Sequence, residues 1–297
     1  MKPLFLAFPG TSRSLATALA RTCGGDLQGL RHRRFPDGES YFRIEADLID
    51  RDVVLVCSLD RPDPKTTLLQ LVAAALRGRG ARRLGLAAPY LAYMRQDASF
   101  HRGEPISARL YAALLSRTVD WLATVDPHLH RIHDLAEVYA IPTRVAHATE
   151  AMAAWIRAQA PEAFLIGPDE ESRQWTAAVA AAAGVPYSVL RKERLGDREV
   201  RVHAPDDLAV PPGRTPVLID DVVSSGRTLI AAAEQLALRG GRVSLCIATH
   251  ALASRRTLGE LAAAGLRVAA SDSIRSPVTA FSIADPLAVA VRELMLA

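Results

Sequence analysis

Residues 217–229 read Val-Leu-Ile-Asp-Asp-Val-Val-Ser-Ser-Gly-Arg-Thr-Leu: an apolar run, two adjacent carboxylates, then small residues before a helical pattern opens at Thr228. Small residues let backbone N–H groups converge on an anion, and a helix N-terminus adds partial positive charge. Carboxylates beside such a cradle repel a bare phosphate. They suit a ligand that brings hydroxyls or a bound metal with its phosphate, such as a phosphorylated sugar. The spacing predicts a short strand over 217–219 ending at Asp220 and Asp221, with Ser224, Ser225, Gly226, Arg227 and Thr228 forming the anion loop.

Other segments carry chemistry less clearly one by one. Arg34-Phe35-Pro36-Asp37-Gly38-Glu39 sets an aromatic ring and two carboxylates around a turn. Arg95-Gln96-Asp97 follows a strand-like run and offers a guanidinium, an amide and a carboxylate together, a set that can grip phosphate. Gly103-Glu104-Pro105-Ile106-Ser107 then opens a helix, with Pro105 suited to its first turn. His128 and Asp169 stand at the ends of two further strand-like runs and could share a Mg²⁺ held mainly by substrate phosphates. In isolation each of these reads as an ordinary surface turn or a structural residue.

Charge and composition narrow the classes. Basic residues number 36 against 32 acidic, for a net charge of +4, and they are dispersed without aromatic interleaving. That pattern favours an anionic small molecule over nucleic acid. Lys2, Lys65 and Lys192 are the only lysines in a chain that otherwise uses arginine, so a retained lysine can mark a need for a compact point charge. No apolar run approaches the ~18 residues that span a bilayer. Met1-Lys2-Pro3-Leu4 leads directly into a strand-like segment rather than a secretory signal. Cys23, Cys57 and Cys246 are odd in number and set in apolar surroundings, as expected of small core residues in a reducing cytoplasm.

These groups need elements to position them. Strand-like runs at 52–57, 84–88, 121–125, 163–166, 216–219 and 243–248 alternate with helical patterns at 67–77, 106–116, 148–159, 171–183 and 228–238. The alternation predicts an α/β architecture of mainly parallel sheets, with ligands beyond the carboxyl ends of the strands. A repeat is visible: residues 67–80 followed by 81–93 parallel residues 228–240 followed by 241–253. It predicts two similar domains, 1–143 and 144–297, joined near Ile141-Pro142-Thr143, with the last helix packing on the first. The first copy's loop, Cys57 to Pro62, lacks paired aspartates and glycine, so the sugar-phosphate cradle is expected only in the second.

Taken in order, these segments resemble the ribose-phosphate diphosphokinases, the 5-phosphoribosyl 1-diphosphate (PRPP) synthetases, over nearly the whole chain. The Asp220–Thr228 loop is shared with type I phosphoribosyltransferases, whereas Arg34–Glu39 and Tyr93–Asp97 with Glu104–Ser107 point to the synthetases. The resemblance implies two phosphoribosyltransferase-like domains. It implies that Phe35, Asp37 and Glu39 hold adenine, reaching in from a neighbouring subunit of a homo-oligomer that is at least a dimer. Arg95, Gln96, Asp97 and His128 would lie along ATP, with His128 and Asp169 near Mg²⁺. Asp220 and Asp221 would take the ribose hydroxyls, and Ser224 to Thr228 the 5-phosphate of ribose 5-phosphate. Lys192 and Arg194 match the basic pair of the family's catalytic loop, and Gly196-Asp197 supplies a turn beyond it; without the family, Lys192-Glu193-Arg194 reads as a charged turn.

Three positions depart from the family pattern: Ser224, Arg227, and Glu170-Glu171 after Asp169. They leave two alternatives, a type I phosphoribosyltransferase that consumes PRPP and a catalytically weak regulatory paralogue. No nucleic-acid or membrane partner is expected.

Overall fold

A computed structural model describes residues 1–99, 101–129, 131–194, 200–203, 208–238 and 241–297. Gly196, Asp197, Arg239 and Gly240, which the sequence reading invoked, lie outside the described residues. The chain divides into two compact units. The first comprises Met1–His147 with Ser273–Arg275 and Ser282–Ala297; the second comprises Ala148–Asp272 with Ser276–Phe281.

In the first unit the strands are β1 (Leu4–Ala7), β2 (Asp26–Gly29), β3 (Arg31–Arg34), β4 (Ser40–Arg43), β5 (Asp52–Val56), β6 (Arg83–Ala88), β7 (Trp121–Val125) and β8 (Thr143–Ala146). Six of them form a parallel sheet in the order β2-β1-β5-β6-β7-β8. The other two, β3 and β4, form a separate antiparallel ribbon. Helices α1 (Arg13–Thr22), α2 (Pro62–Gly78) and α3 (Ser107–Thr118) fill the crossovers. The central strands are buried along almost their whole length, which is why they read as unbroken apolar runs rather than as alternating patterns.

The second unit repeats this plan. Its strands are β9 (Ala163–Gly167), β10 (Tyr187–Val189), β11 (Arg191–Arg194), β12 (Val200–His203), β13 (Thr215–Val223), β14 (Leu245–Ala251), β15 (Arg267–Ser271) and β16 (Thr279–Phe281). The six-stranded sheet runs β10-β9-β13-β14-β15-β16, again all parallel, and β11–β12 is again an antiparallel ribbon set apart. Its helices are α4 (Thr149–Gln159), α5 (Arg173–Ala183), α6 (Arg227–Ala237) and α7 (Arg255–Ala263). A last helix, α8 (Ala284–Leu296), returns to the first unit and packs on α1, β7 and β8. Arg144 in β8 pairs there with Glu293 at 3.0 Å.

Both units are therefore α/β, and the repeated α2–β6 and α6–β14 segments occupy the same place in each. Two local readings are corrected. Residues 191–194 form a strand, because they pair with 200–203 in register Lys192↔Val202 and Arg194↔Val200. Likewise β13 does not stop at Ile219; its ladder with β14 continues through Asp220↔Ala248 to Val223↔Ala251, so Asp220 and Asp221 lie inside the strand. Cross-strand pairing overrides the low strand propensity of aspartate here.

One packing detail predicts a large stability effect. Trp121 is almost fully buried and lies in register with Gly85 on β6. A Cβ on residue 85 would come within 1.9 Å of the indole Cζ2. Gly85→Ala is therefore expected to lower Tm by roughly 5–10 °C through overpacking. Scanning calorimetry of that variant beside Gly85→Ala/Trp121→Leu, which should regain part of the loss, checks the cause.

The three cysteines are free thiols, two buried and Cys23 half-buried. Burial pushes Cys57 up to about 12 and Cys23 up to about 11, so they stay protonated near neutral pH. Among the described residues no helix is long and apolar enough to cross a membrane.

Candidate active site

The second unit brings the acidic pair and the small-residue loop together at the carboxyl end of its sheet. Strand β9 pairs with β13 only as far as Leu218↔Ile166, so β13 continues past its neighbour carrying Asp220 and Asp221. Asp220 Oδ1 accepts a hydrogen bond from the Asp221 N–H at 2.9 Å. Burial pushes the Asp220 carboxyl well up, and the like charges of Asp221 and then Asp169 push the same way. Gly226 follows at φ +73° and caps α6 without a side-chain hydrogen bond. A Cβ there would stand 3.0 Å from Leu261 of α7, so the left-handed turn and the close approach both call for glycine. Gly226 is buried, Ser224 and Thr228 are half-buried, and Ser225 and Arg227 are exposed. The uncapped first turn of α6 thus faces the loop with N–H groups suited to an anion.

Asp169 follows β9 and caps a short 3-10 turn (Glu170–Ser172), accepting from the Ser172 N–H at 3.1 Å. Gly167 before it is equally constrained, since a Cβ would meet Ser172 Oγ at 2.5 Å and Thr176 Oγ1 at 2.6 Å. The departure at Glu170 has a local partner: its carboxylate takes two hydrogen bonds from Arg173, at 2.7 and 2.8 Å, which hold it below the usual carboxylate range.

The same position in the first unit is closed from within. After β5 the chain runs through Ser58, Asp60 and Arg61, and Arg61 caps α2 with φ +52°, the left-handed conformation Gly226 adopts in the other copy. Lys65, from the first turns of α2, donates to the Ser58 carbonyl at 2.7 Å and to Asp60 Oδ1 at 2.5 Å. One of the three lysines therefore fills the first unit's counterpart of the Ser224–Thr228 loop.

The remaining first-unit residues sit on two loops and a ribbon. Tyr93, at φ +65°, leads into Arg95-Gln96-Asp97; its hydroxyl bonds Asp63 and its ring packs at 4.5 Å on Tyr111. Arg95 is exposed, and the Gln96 side-chain carbonyl accepts from Ser107 Oγ at the start of α3. Asp97 is buried, with both oxygens engaged by Arg131: the backbone N–H at 2.9 Å and Nη1 at 3.0 Å. Burial raises the Asp97 carboxyl, but the Arg131 hydrogen bonds and charge, with a backbone bond of Asp97 itself, together hold the group below the usual carboxylate range. After β7 come Asp126, Pro127 and the half-buried His128. His147 Nδ1 bonds Asp126 Oδ1 at 2.9 Å, and that bond raises the imidazole above its ordinary value. His128 belongs to the first unit and Asp169 to the second, so neither unit alone holds both residues of the expected metal pair.

Between β3 and β4, Phe35, Asp37 and Glu39 are all exposed at a turn in which Phe35 N–H donates to the Glu39 carbonyl at 2.8 Å. The Arg33 guanidinium lies over the rings of both Phe35 and Tyr41, 4.4 and 4.6 Å from their centroids. In the second unit β11 supplies the backbone of Lys192 and Arg194, and β12 runs beside α6, the helix that begins at the cradle. The side chains of Lys192 and Arg194 lie outside the described part.

Sequence reasoning missed Arg131 and His147. Neither stands in a motif, and only the folded contacts to Asp97 and Asp126 mark them.

Comparison with known proteins follows the same division. Residues 5–118 match the family described as the N-terminal domain of ribose phosphate pyrophosphokinase, and residues 134–268 match the phosphoribosyl transferase domain. A ribose-phosphate pyrophosphokinase of Methanopyrus kandleri is 36% identical over 94% of this chain and 96% of its own. One from Thermococcus kodakarensis is 31% identical over 90% of this chain and 93% of its own. The crystal structure of phosphoribosylpyrophosphate synthetase from Mycobacterium smegmatis superposes with a TM-score of 0.82 at 25% identity, covering 99% of both chains.

Proposed function

The chain belongs to the ribose-phosphate pyrophosphokinase family, and from that premise we propose that it transfers the β,γ-diphosphoryl group of ATP to the C1 hydroxyl of ribose 5-phosphate, giving PRPP and AMP. The observation that carries this reading is similarity along 94% of the chain to such an enzyme, together with a paired-aspartate and small-residue loop at the carboxyl end of one of two like sheets. A phosphoribosyltransferase that consumes PRPP is not favoured, because it leaves the Arg34–Glu39 and Arg95–Asp97 segments without a task.

In this reading the N-terminal domain, residues 1–143, supplies the ATP side, and the C-terminal domain, residues 144–297, the acceptor side. Phe35 stacks on adenine while Asp37 and Glu39 bond its edge, from a neighbouring subunit of a homo-oligomer. Arg95 and Gln96 lie along the phosphates. The N–H groups at the start of α6, with Ser224, Ser225 and Thr228, hold the 5-phosphate, and exposed Arg227 adds charge at the rim. Asp220 and Asp221 bind the ribose hydroxyls and orient C1–OH for in-line attack. Lys192 and Arg194 neutralise charge that develops on the transferred group, the main task in a reaction that needs no covalent nucleophile.

The acidic residues suit Mg²⁺. A hard cation relieves the repulsion that raises Asp220, and Asp169 of the same unit is a further donor. Among the described residues no group of three or more His, Cys, Asp and Glu is placed to hold a metal, so most of the ion's shell would come from water and substrate phosphates. When bound, Mg²⁺ supplies charge neutralisation across the triphosphate. A reducing cytoplasm fits the three free thiols.

The test is direct. Purified protein with ATP, Mg²⁺ and ribose 5-phosphate should yield AMP and PRPP by phosphorus NMR. No product across a range of metals and phosphate concentrations would overturn the proposal, and PRPP consumption with a nucleobase would favour the transferase.

A further inference from the structure

The loop after β7 carries His128. Asp126, its first residue, has φ +35°, a left-handed backbone uncommon outside glycine. Pro127 follows, and a residue before proline favours an extended conformation. Such a conformation costs on the order of 1–3 kcal/mol and persists only where its surroundings over-determine it. Here the Asp126 N–H donates to the Ala146 carbonyl at 3.0 Å, and its buried carboxylate accepts from His147 Nδ1 at 2.9 Å. Both bonds lead to the carboxyl end of β8 and the residue just beyond.

At the far end of the loop, Arg131 grips Asp97 with its backbone N–H and its guanidinium. The Asp97 side chain is only 4% exposed, and it sits directly after Arg95 and Gln96. Ile132, next in the chain, is buried in the core, and Leu129 packs against the same core. The loop is thus held at each end by one carboxylate bonded to a basic side chain, and half-buried His128 lies between the two.

We infer that Arg131 and His147 are positioning residues: acting through Asp97 and Asp126, they clamp both ends of the His128 loop and set that imidazole toward the metal-bound triphosphate. The inference rests on the assignment of His128 to the ATP side. Groups one shell beyond a metal ligand commonly change metal affinity tenfold to a hundredfold when removed, because the ligand then loses its orientation. The clamp also couples two loops. Arg131 ties the His128 loop to the Arg95–Asp97 loop, so both phosphate-facing segments are placed by one ion pair.

Equilibrium ATP binding, measured by calorimetry with Mg²⁺ and again in EDTA, tests this on the full chain. His147→Ala should weaken binding of Mg²⁺–ATP about tenfold and leave metal-free ATP binding within about twofold of wild type. His147→Asn keeps an N–H donor for Asp126 and should recover most of the loss. Arg131→Ala should act in the same direction, and Arg131→Lys, which keeps the charge without the planar fork, should fall between. In a His128→Ala background the His147→Ala effect should vanish, since a residue acting through His128 has nothing left to position. A purely structural role would instead lower Tm and weaken both forms of binding in either background.

Unchanged Mg²⁺–ATP affinity in folded His147→Ala and Arg131→Ala, or an equal loss with and without His128, would overturn the clamp alone. Wild-type protein that binds no Mg²⁺–ATP would overturn the ATP-side reading and the clamp with it. Wild-type protein that binds ATP but makes no PRPP would overturn the proposed reaction and leave the clamp standing on its binding data.

Discussion

Lys192→Ala should lower kcat by about a hundredfold to a thousandfold while leaving the ATP dissociation constant within about twofold of wild type. The lysine stands on a ribbon strand opposite Val202, outside the six-stranded sheet, and the partner strand runs beside the helix that begins at the cradle. In the proposed role the lysine meets charge that appears only as the diphosphoryl group leaves AMP. An interaction made in the transition state and not before changes turnover rather than ground-state binding. Lys192→Arg should restore only part of the rate, since a planar guanidinium does not replace a compact ammonium. Steady-state kinetics with calorimetric ATP binding separates the two effects. A tenfold loss of ATP affinity at unchanged kcat would refute the role.

Asp220→Asn should move stability and activity in opposite directions. Ionised Asp220 is opposed by its own burial, by Asp221 and by Asp169, so an uncharged amide there should raise Tm by about 3–6 °C when metal is chelated. The pH dependence has a definite sign. Above the ordinary carboxylate value of 3.8, the unfolded chain releases this proton while the folded chain retains it up to the raised value. Wild-type stability therefore falls as pH rises through that window, and the asparagine variant lacks this component. Activity should drop, with kcat/KM for ribose 5-phosphate lower by about a hundredfold or more, because an amide neither attracts a cation nor accepts from two hydroxyls as a carboxylate does. A variant that is both less stable and fully active would contradict the assignment. Such opposition is expected where a site is arranged for its ligand rather than for the empty fold.

Much of the fold is legible because parallel strands buried on both faces leave plain apolar runs, as residues 121–125 do in β7. The repeat of helix, turn and strand was visible for the same reason. Boundaries fared worse where pairing overrode local preference. Asp220 and Asp221 belong to β13 because β14 continues beside them, and nothing in two adjacent aspartates announces a neighbouring strand. Lys192-Glu193-Arg194 looked like a charged turn because no residue type marks a two-stranded ribbon whose partner begins six residues later, at Val200. Helix α2 begins at Pro62 rather than at residue 67, since proline needs no N–H partner in a first turn.

The candidate site was legible where backbone chemistry dictates residue type, as with Gly226 in its left-handed cap. It was illegible where two side chains meet across the fold. Asp97 and Arg131 are 34 positions apart and Asp126 and His147 are 21 apart, and neither separation leaves a periodic trace. The role of Lys65 was hidden likewise: its scarcity was noticeable, but that it closes the first unit's loop depends on where Ser58 and Asp60 come to lie.

The two ribbons occupy one topological slot, each inserted between the second strand of its unit and the third strand of that unit's sheet. Neither lends a strand to a six-stranded sheet, so a change within a ribbon leaves the sheet pairing intact. The first has accumulated exposed rings around Arg33, the second the basic pair Lys192 and Arg194. On the proposed assignments, exchange of ribbon sequences between relatives should alter the choice of diphosphoryl donor through the first ribbon and the speed of transfer through the second, one property at a time.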